Sequence, residues 1–194
     1  MTRTARALLA SLTATTLVLA PTAAGAAGDN IVTATNEVDG AAVVEASVQY
    51  RVVANGVVDQ ENAAYALASC VDCQTLAAAL QLVVVTRDWH TLVPHNEAFA
   101  ANVLCEECLT WASAKQVIVA TDGPAALTGA GHIRMRALEN RLEALEASLP
   151  TLSLGDLAAE LDAAFAELLA IAQDEVRRID AAPQAARVVA IRSS

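Results

Sequence analysis

The spacing of hydrophobic and polar residues predicts three different regions along this chain. Residues 29–59 are rich in β-branched residues, and from residue 44 to 52 apolar and polar residues alternate, so that Val44, Val48 and Tyr50 share one side of the segment while Glu45 and Gln49 share the other. A period of two is typical of a β-strand with one packed face. Turn sequences at 39–40 and 55–56, the latter an Asn-Gly pair, favour tight hairpins. The region therefore predicts an N-terminal β meander of two to three strands.

The second region, residues 60–85 and 96–120, is rich in alanine and leucine. These residue types favour a helix. The same stretch also alternates at Thr75, Ala77, Ala79, Gln81 and Val83, which is the strand period, so a strand stays open. The favoured prediction is a pair of helices forming a hairpin, joined by a loop over 86–97 that Pro94 interrupts.

The third region carries leucines at helical spacing. Residues 122–131 contain three glycines and a proline, which predicts a linker. Beyond it, apolar residues recur at Leu138, Leu142, Leu145 and Leu149, and again after Pro150, where Ser153 is placed to cap a second helix. We expect an acidic antiparallel helical hairpin of coiled-coil type over 132–181 and a tail over 182–194 that forms a short strand or stays loose. The predicted fold class is therefore α+β.

The first 27 residues have the pattern of a Sec-type signal peptide. Arg3 and Arg6 precede an apolar run, and small residues around Ala24 and Ala26 suit a signal peptidase. We therefore predict a secreted or cell-envelope protein whose residues 28–121 hold the meander and the cysteine region. No later segment is apolar for the roughly 20 residues that a membrane span requires.

Net charge and composition limit the kinds of partner and of core that the protein can have. The whole chain has 12 Lys+Arg and 22 Asp+Glu, and removing two arginines with residues 1–27 leaves 10 − 22 = −12. This charge repels phosphate backbones, which argues against nucleic acid. With two residues each of Phe, Tyr and Trp, the core has to be built from Ala, Val and Leu.

All four cysteines lie in two copies of one motif. The copies "CVDCQTLAAALQ" and "CEECLTWASAKQ" begin at Cys70 and Cys105 and match at a constant offset of 35. The matching residues that carry chemistry are Cys70, Cys73, Thr75 and Gln81 in the first copy and Cys105, Cys108, Thr110 and Gln116 in the second. The threonines can satisfy backbone groups, and the two glutamines can bond each other across a pseudo-twofold axis.

Three chemistries suit these cysteines. Two disulfides are favoured by export to an oxidising compartment, and bonds between the copies would stabilise more than bonds within each CxxC because they close longer loops. A zinc site with four thiolate ligands is the alternative, although 31 residues separate the pairs, more than is usual. A thiol-disulfide oxidoreductase fits less well, because Asp72, Glu106 and Glu107 disfavour a thiolate.

The sequence lacks the motifs of common enzymes: GxSxG, HExxH, a P-loop and GxGxxG are all absent. We therefore expect a non-enzymatic structural or interaction protein without a cofactor, with zinc as the alternative. Its partner is expected to be another protein or a second copy, bound through the apolar stripe of the helical hairpin.

The motif with its preceding "VVDQENAAYA" (57–66) resembles a group of actinobacterial exported proteins with a duplicated CxxCxTxAxAxQ region. Some of these are labelled peptide zinc metalloproteases because the region follows a protease-like membrane part. The resemblance covers 36–121 and implies export in an uncharacterised role. It does not imply a protease, because the HExxH motif of that part is missing here.

Overall fold

Strands dominate the computed structural model, which describes residues 28–148, 153–179 and 187–193. The elements in chain order are β1 (Asn30–Asn36), β2 (Ala42–Ala68), β3 (Gln74–Asn102), β4 (Leu109–Thr121), β5 (Ala125–Leu127), α1 (Gly129–Ser148), α2 (Leu154–Glu175), β6 (Val176–Arg178) and β7 (Arg187–Ser193). The cysteine region is β rather than helical, and the predicted α+β class is wrong.

Strands β1 to β4 pair in parallel, and each strand lies beside the strand that comes one coil earlier in the chain. Asn30 pairs with Asn62, Ala42 with Gln74, and Gln74 with Leu109, so that successive coils are offset by 32 to 35 residues. Strands that pair in parallel with the strand one coil earlier form a parallel β-solenoid. The predicted meander is wrong, because a meander pairs neighbouring strands in antiparallel fashion.

Each long strand passes through both sides of the flattened solenoid. The 27 residues of β2 change register between Ala54 and Val57, where Gly56 adopts a φ of 79°. The chain there turns from one sheet to the sheet opposite. Asn55-Gly56 therefore makes a bend and not the predicted hairpin, because the backbone hydrogen bonds of β2 go to β1 and β3.

Two sheets result, which we call the covered sheet (42–54, 74–86, 109–121 and β7) and the open sheet (30–36, 57–68 and 91–102). β7 pairs with β4 in antiparallel fashion and lies at one edge of the covered sheet. Between the sheets one end of the interior is lined by small residues, including Ala34, Ala66, Ala79 and Ala114, and the other end by Val58, Val83, Val85 and Ile118.

This interior explains why helices were wrongly predicted for the cysteine region. In β3, Ala77 and Ala79 face the opposite sheet, while Leu80 and Leu82 lie in the cluster formed with the helices. A strand buried on both faces is apolar at nearly every position, so it loses the alternation that marks a half-buried strand. Its alanine content then imitates a helix.

The two helices pack their leucines onto the covered sheet. Leu138, Leu142 and Leu161 are buried in one cluster with Leu82 and Val117 of the strands. The predicted coiled coil is wrong, because the stripes contact a sheet as well as each other. The predicted cap is confirmed: Ser153 accepts a bond from Asp156 N, and the Asp156 carboxylate accepts one from Ser153 N.

The predicted loop over 86–97 is also strand, because β3 continues to Asn102. Pro94 pairs with Gln60 on an edge strand of the open sheet, which is the position in a sheet that tolerates proline. Strand β5 lies within the range predicted as a linker and pairs with β6. The C-terminal tail contains a short strand, β7, which was one of its two predicted forms.

Neither α1 nor α2 combines the length and apolarity needed to cross a bilayer, within the residues that the structure describes. The predicted signal peptide, residues 1–27, lies outside those residues.

Candidate functional site at the cysteine corner

The two CxxC motifs form successive corners of the solenoid, one on top of the other. Val71 and Glu106 form a parallel bridge, and Asp72 N donates to Glu106 O at 2.9 Å while Glu106 N donates to Cys70 O at 3.2 Å. The 31 residues between the motifs make up the rest of one coil of the solenoid. The long spacing that weighed against a shared four-cysteine site therefore does not separate the motifs in space.

The sulfur atoms pair within each motif. Cys70 is bonded to Cys73 and Cys105 to Cys108, with Cα–Cα distances of 6.1 and 6.0 Å. The bonds between copies, which the sequence analysis favoured for stability, are not those observed. Closing a four-residue loop stabilises by only about 2 kcal/mol in the chain-entropy model. Stacking of the coils instead rests on the backbone ladder.

All four sulfurs nevertheless form one cluster. Cys73 Sγ lies 3.2 Å from Cys108 Sγ, and the four Sγ atoms all lie within 4.8 Å of one another. Cys70 and Cys73 are buried, whereas Cys105 and Cys108 are half-buried at the last corner. The acidic neighbours Asp72 and Glu107 are exposed.

The same corner occurs a third time without cysteines. By strand register, Gly40 is equivalent to Asp72 and Glu107, and all three residues have a positive φ, of 67°, 52° and 56°. The first corner carries Val38 and Ala41 where the others carry cysteine. Since a glycine makes this turn without a disulfide, the cysteines are an addition to the corner and not a requirement of the turn.

The predicted glutamine pair is confirmed, with a different symmetry. Gln116 Nε2 donates to Gln81 Oε1 at 2.6 Å, and both side chains are fully buried. The residues are related by a step of one coil, not by the pseudo-twofold axis that was expected. The threonines differ from each other: Thr110 is half-buried and donates to Asn102, whereas Thr75 is buried and its Oγ1 has no hydrogen-bond partner in the described part of the chain.

Sequence reasoning missed two amide ladders in the interior. Asn30 donates to Asn62 at 2.9 Å and Asn62 donates to Asn96 at 2.8 Å. Gln81 also donates to Gln49 at 3.0 Å, which extends the glutamine pair to the first coil. The signal was present in the sequence, since these amides recur at intervals of 32 to 35 residues.

The ladders also join the two sheets. Asn62 Nδ2 donates to Ala79 O, Asn96 Nδ2 to Ala114 O, and Gln116 Nε2 to Gln60 O. Each of these amide nitrogens donates to another amide or to a backbone carbonyl, whereas the buried Gln116 Oε1 has no hydrogen-bond partner among the described residues. The donated bonds fix the register of the coils.

Comparison with known proteins adds no relative: no family model, no curated protein and no solved structure matches this chain. Its function has to be argued from its own geometry.

Proposed function

We propose that this chain is an exported, non-enzymatic structural or interaction protein of the cell envelope, and that its open sheet is the surface that contacts a partner. One observation carries the proposal: the same solenoid has one sheet covered by two helices and one sheet whose outer face the described residues leave exposed. A face that bears apolar side chains in an exported protein is suited to binding.

The outer face of the open sheet presents rows of side chains in register. Thr33 pairs with Tyr65 and Tyr65 with Phe99, while Leu67 pairs with Ala101 in the next row. Phe99 is 50% exposed. Tyr65 beside it is half-buried. Aromatic side chains contribute a large contact area at low entropic cost, so these neighbouring rings are suited to the centre of an interface.

Two carboxylates lie near Tyr65. Partial burial, followed by the nearby carboxylates of Glu97 and Glu61, raises the pKa of Tyr65 above its ordinary value. The surface is therefore apolar at its centre and acidic beside it. Such a surface favours a partner protein that presents basic residues around an apolar patch.

Two further features support an exported structural role. The disulfides at Cys70–Cys73 and Cys105–Cys108 are typical of oxidising compartments. The leucine stripe of the helices, which was predicted to bind a partner, instead packs against the covered sheet, for example at Leu142 and Leu161. A partner or a second copy is therefore better placed on the open sheet than on that stripe.

The test uses a Tyr65→Ser/Phe99→Ser variant, with Ile133→Ser as the matched control because Ile133 is an apolar residue of α1 that is 70% exposed. Each protein is secreted by its host, its mass is measured to locate signal cleavage, and its association is followed by light scattering and by binding to isolated envelopes. We expect wild type and the control to associate, more weakly at high salt, and the double variant to lose association at least tenfold.

Two results would refute this proposal. One is a wild-type protein that stays monomeric and binds no envelope protein. The other is equal binding by the double variant and the Ile133→Ser control.

A further inference from the structure

We infer that the four cysteines of the stacked corners, once both disulfides are reduced, bind one soft divalent metal ion of the Zn²⁺ type. The cysteine corner would then have two states, a pair of disulfides or a single metal site with four thiolates. The metal site would lie at the cysteine corner, so it does not depend on the proposed role of the open sheet.

The positions of the sulfurs carry the argument. A tetrahedral Zn²⁺ with four sulfur ligands at about 2.3 Å requires sulfur–sulfur separations of roughly 3.8 Å. The four Sγ atoms lie within 4.8 Å of one another, and Cys73 Sγ and Cys108 Sγ are already 3.2 Å apart. Reduction lets the sulfurs within each motif move apart, so small side-chain rotations are sufficient to reach this geometry.

The backbone holds both halves of the site in place without the disulfides. Leu109 N donates to Cys73 O and Asp72 N to Glu106 O, both at 2.9 Å. The first corner keeps the equivalent bond, Gly40 N to Val71 O at 2.8 Å, with no cysteine present. A corner that forms without a disulfide is expected to persist when the disulfide is reduced, which leaves the ligands preorganised.

The set of ligands is selective in kind and number. Four thiolates in a tetrahedral arrangement are typical of zinc and exclude hard cations such as Mg²⁺. Since the first corner has Val38 and Ala41 in place of cysteine, the stack can provide one such site and not two. Within the described residues, no other group of three or more histidine, cysteine or acidic side chains has the spacing of a metal site.

A buried hydroxyl lies beside the cluster in sequence. Thr75 is fully buried, and its Oγ1 has no hydrogen-bond partner in the part of the chain that the structure describes. It follows Cys73 by two residues, and in an extended chain residues two apart share a side. The hydroxyl therefore lies on the Cys73 side of the strand, where it adds a polar group near the cluster but no ligand.

The chemistry balances with a dithiol as the reductant. Two dithiols supply four electrons and four protons, each S–S bond is cleaved to two thiols, and the dithiols leave as disulfides. The metal ion then displaces four thiol protons as four metal–sulfur bonds form, which gives the Zn²⁺ site a net charge of −2. Binding is therefore expected to tighten as the pH rises.

The test titrates Co²⁺ into purified protein that has been reduced by a dithiol without oxygen and then freed of the reductant. We expect one Co²⁺ per chain, with thiolate charge-transfer absorption and the visible bands of tetrahedral cobalt, both lost on adding Zn²⁺. The oxidised protein should bind none. Cys70→Ser and Cys105→Ser should each remove the tetrathiolate spectrum, whereas His95→Ala, at an exposed histidine of the open sheet, should leave it unchanged.

The unfolding temperature gives a second readout in case the cysteine variants fold poorly. Zn²⁺ should raise the unfolding temperature of reduced wild type, and leave that of the oxidised protein and of reduced Cys105→Ser unchanged. The inference is overturned if reduced, folded protein with four free thiols binds no Co²⁺. It is also overturned by two ions per chain, by a Cys105→Ser spectrum equal to wild type, or by no thermal shift with Zn²⁺.

Discussion

The two sheets of the solenoid share one interior and differ in what lies outside it. Outside the covered sheet, two helices bury Leu80, Leu82 and Val117. Outside the open sheet, Thr33, Thr35 and Phe99 are exposed in the described structure. The interior positions of both sheets combine small residues and amides with valine and isoleucine at one end, so the interior alone does not decide which sheet receives the helices.

The outer positions decide it. The outer positions of the covered sheet are mostly apolar, with leucine and valine the commonest, whereas those of the open sheet mix threonine and carboxylates with scattered aliphatic and aromatic side chains. Burying apolar surface contributes about 25 cal/mol per Å², so the helices gain most on the leucine side. Helix packing therefore stabilises the covered sheet, while the open sheet is the surface that we propose as an interface.

The largest expected effect compares one phenylalanine from each side. Phe165 of α2 is 1% exposed and packs in the cluster over the covered sheet, with the Arg192 guanidinium 4.7 Å from its ring centre. Phe165→Ala should lower the free energy of unfolding by about 3–5 kcal/mol. Phe99→Ala, on the open sheet, should change it by about 0.5 kcal/mol. Urea unfolding followed by circular dichroism measures both, and equal losses would contradict the division of roles.

A second variant tests the interior that the sheets share. Gln81 accepts a bond from Gln116 and donates to Gln49 and to Gly28 O. Gln81→Ala leaves buried partners unsatisfied, so we expect a loss of about 2–3 kcal/mol in the free energy of unfolding. Gln49→Ala, at the half-buried end of the ladder, is the control and should cost less, about 1 kcal/mol. A larger loss at Gln49 would show that the ladder does not hold the coils in register.

The smallest effect is a dependence on pH on the covered side. Lys115 lies buried beneath α2, and its hydrogen bond and charge lower the pKa of Asp162 below the ordinary value. Because the folded pKa lies below the unfolded one, the pair stabilises the fold above about pH 4 and loses this contribution as the pH falls through the folded pKa.

Asp162→Asn should therefore be less stable than wild type at pH 7 by under about 1 kcal/mol, since the carboxylate faces water. The difference should vanish in acid. Unfolding curves at pH 7 and below pH 3 measure it. Asp122→Asn, at an exposed carboxylate that makes no ion pair in the described structure, is the matched control, and a gap at Asp162 that persists in acid would exclude the ion pair as its cause.

Several elements could be predicted from the sequence because they depend on local spacing. The Ser153 capping box needs residues three apart, and the leucine stripes need a period near 3.6, so the cap and the two helices were found. The constant offset of 35 also predicted the contact between Gln81 and Gln116. The motif repeat did not reveal the first coil, because the corner of that coil has Val38 and Ala41 where the other two corners have cysteine.

What the sequence by itself determined is which side chains share a face, where the second helix begins, and that two cysteine pairs recur at one interval. The tertiary structure decided that the strands stack in parallel, that alanine-rich segments are strands, and that the leucine stripes contact a sheet. The physical reason is that local periodicity specifies the faces of a segment and not its neighbours. Neighbours are chosen by hydrogen bonds and burial between residues 32 to 35 positions apart, as at Asn62 and Gln81.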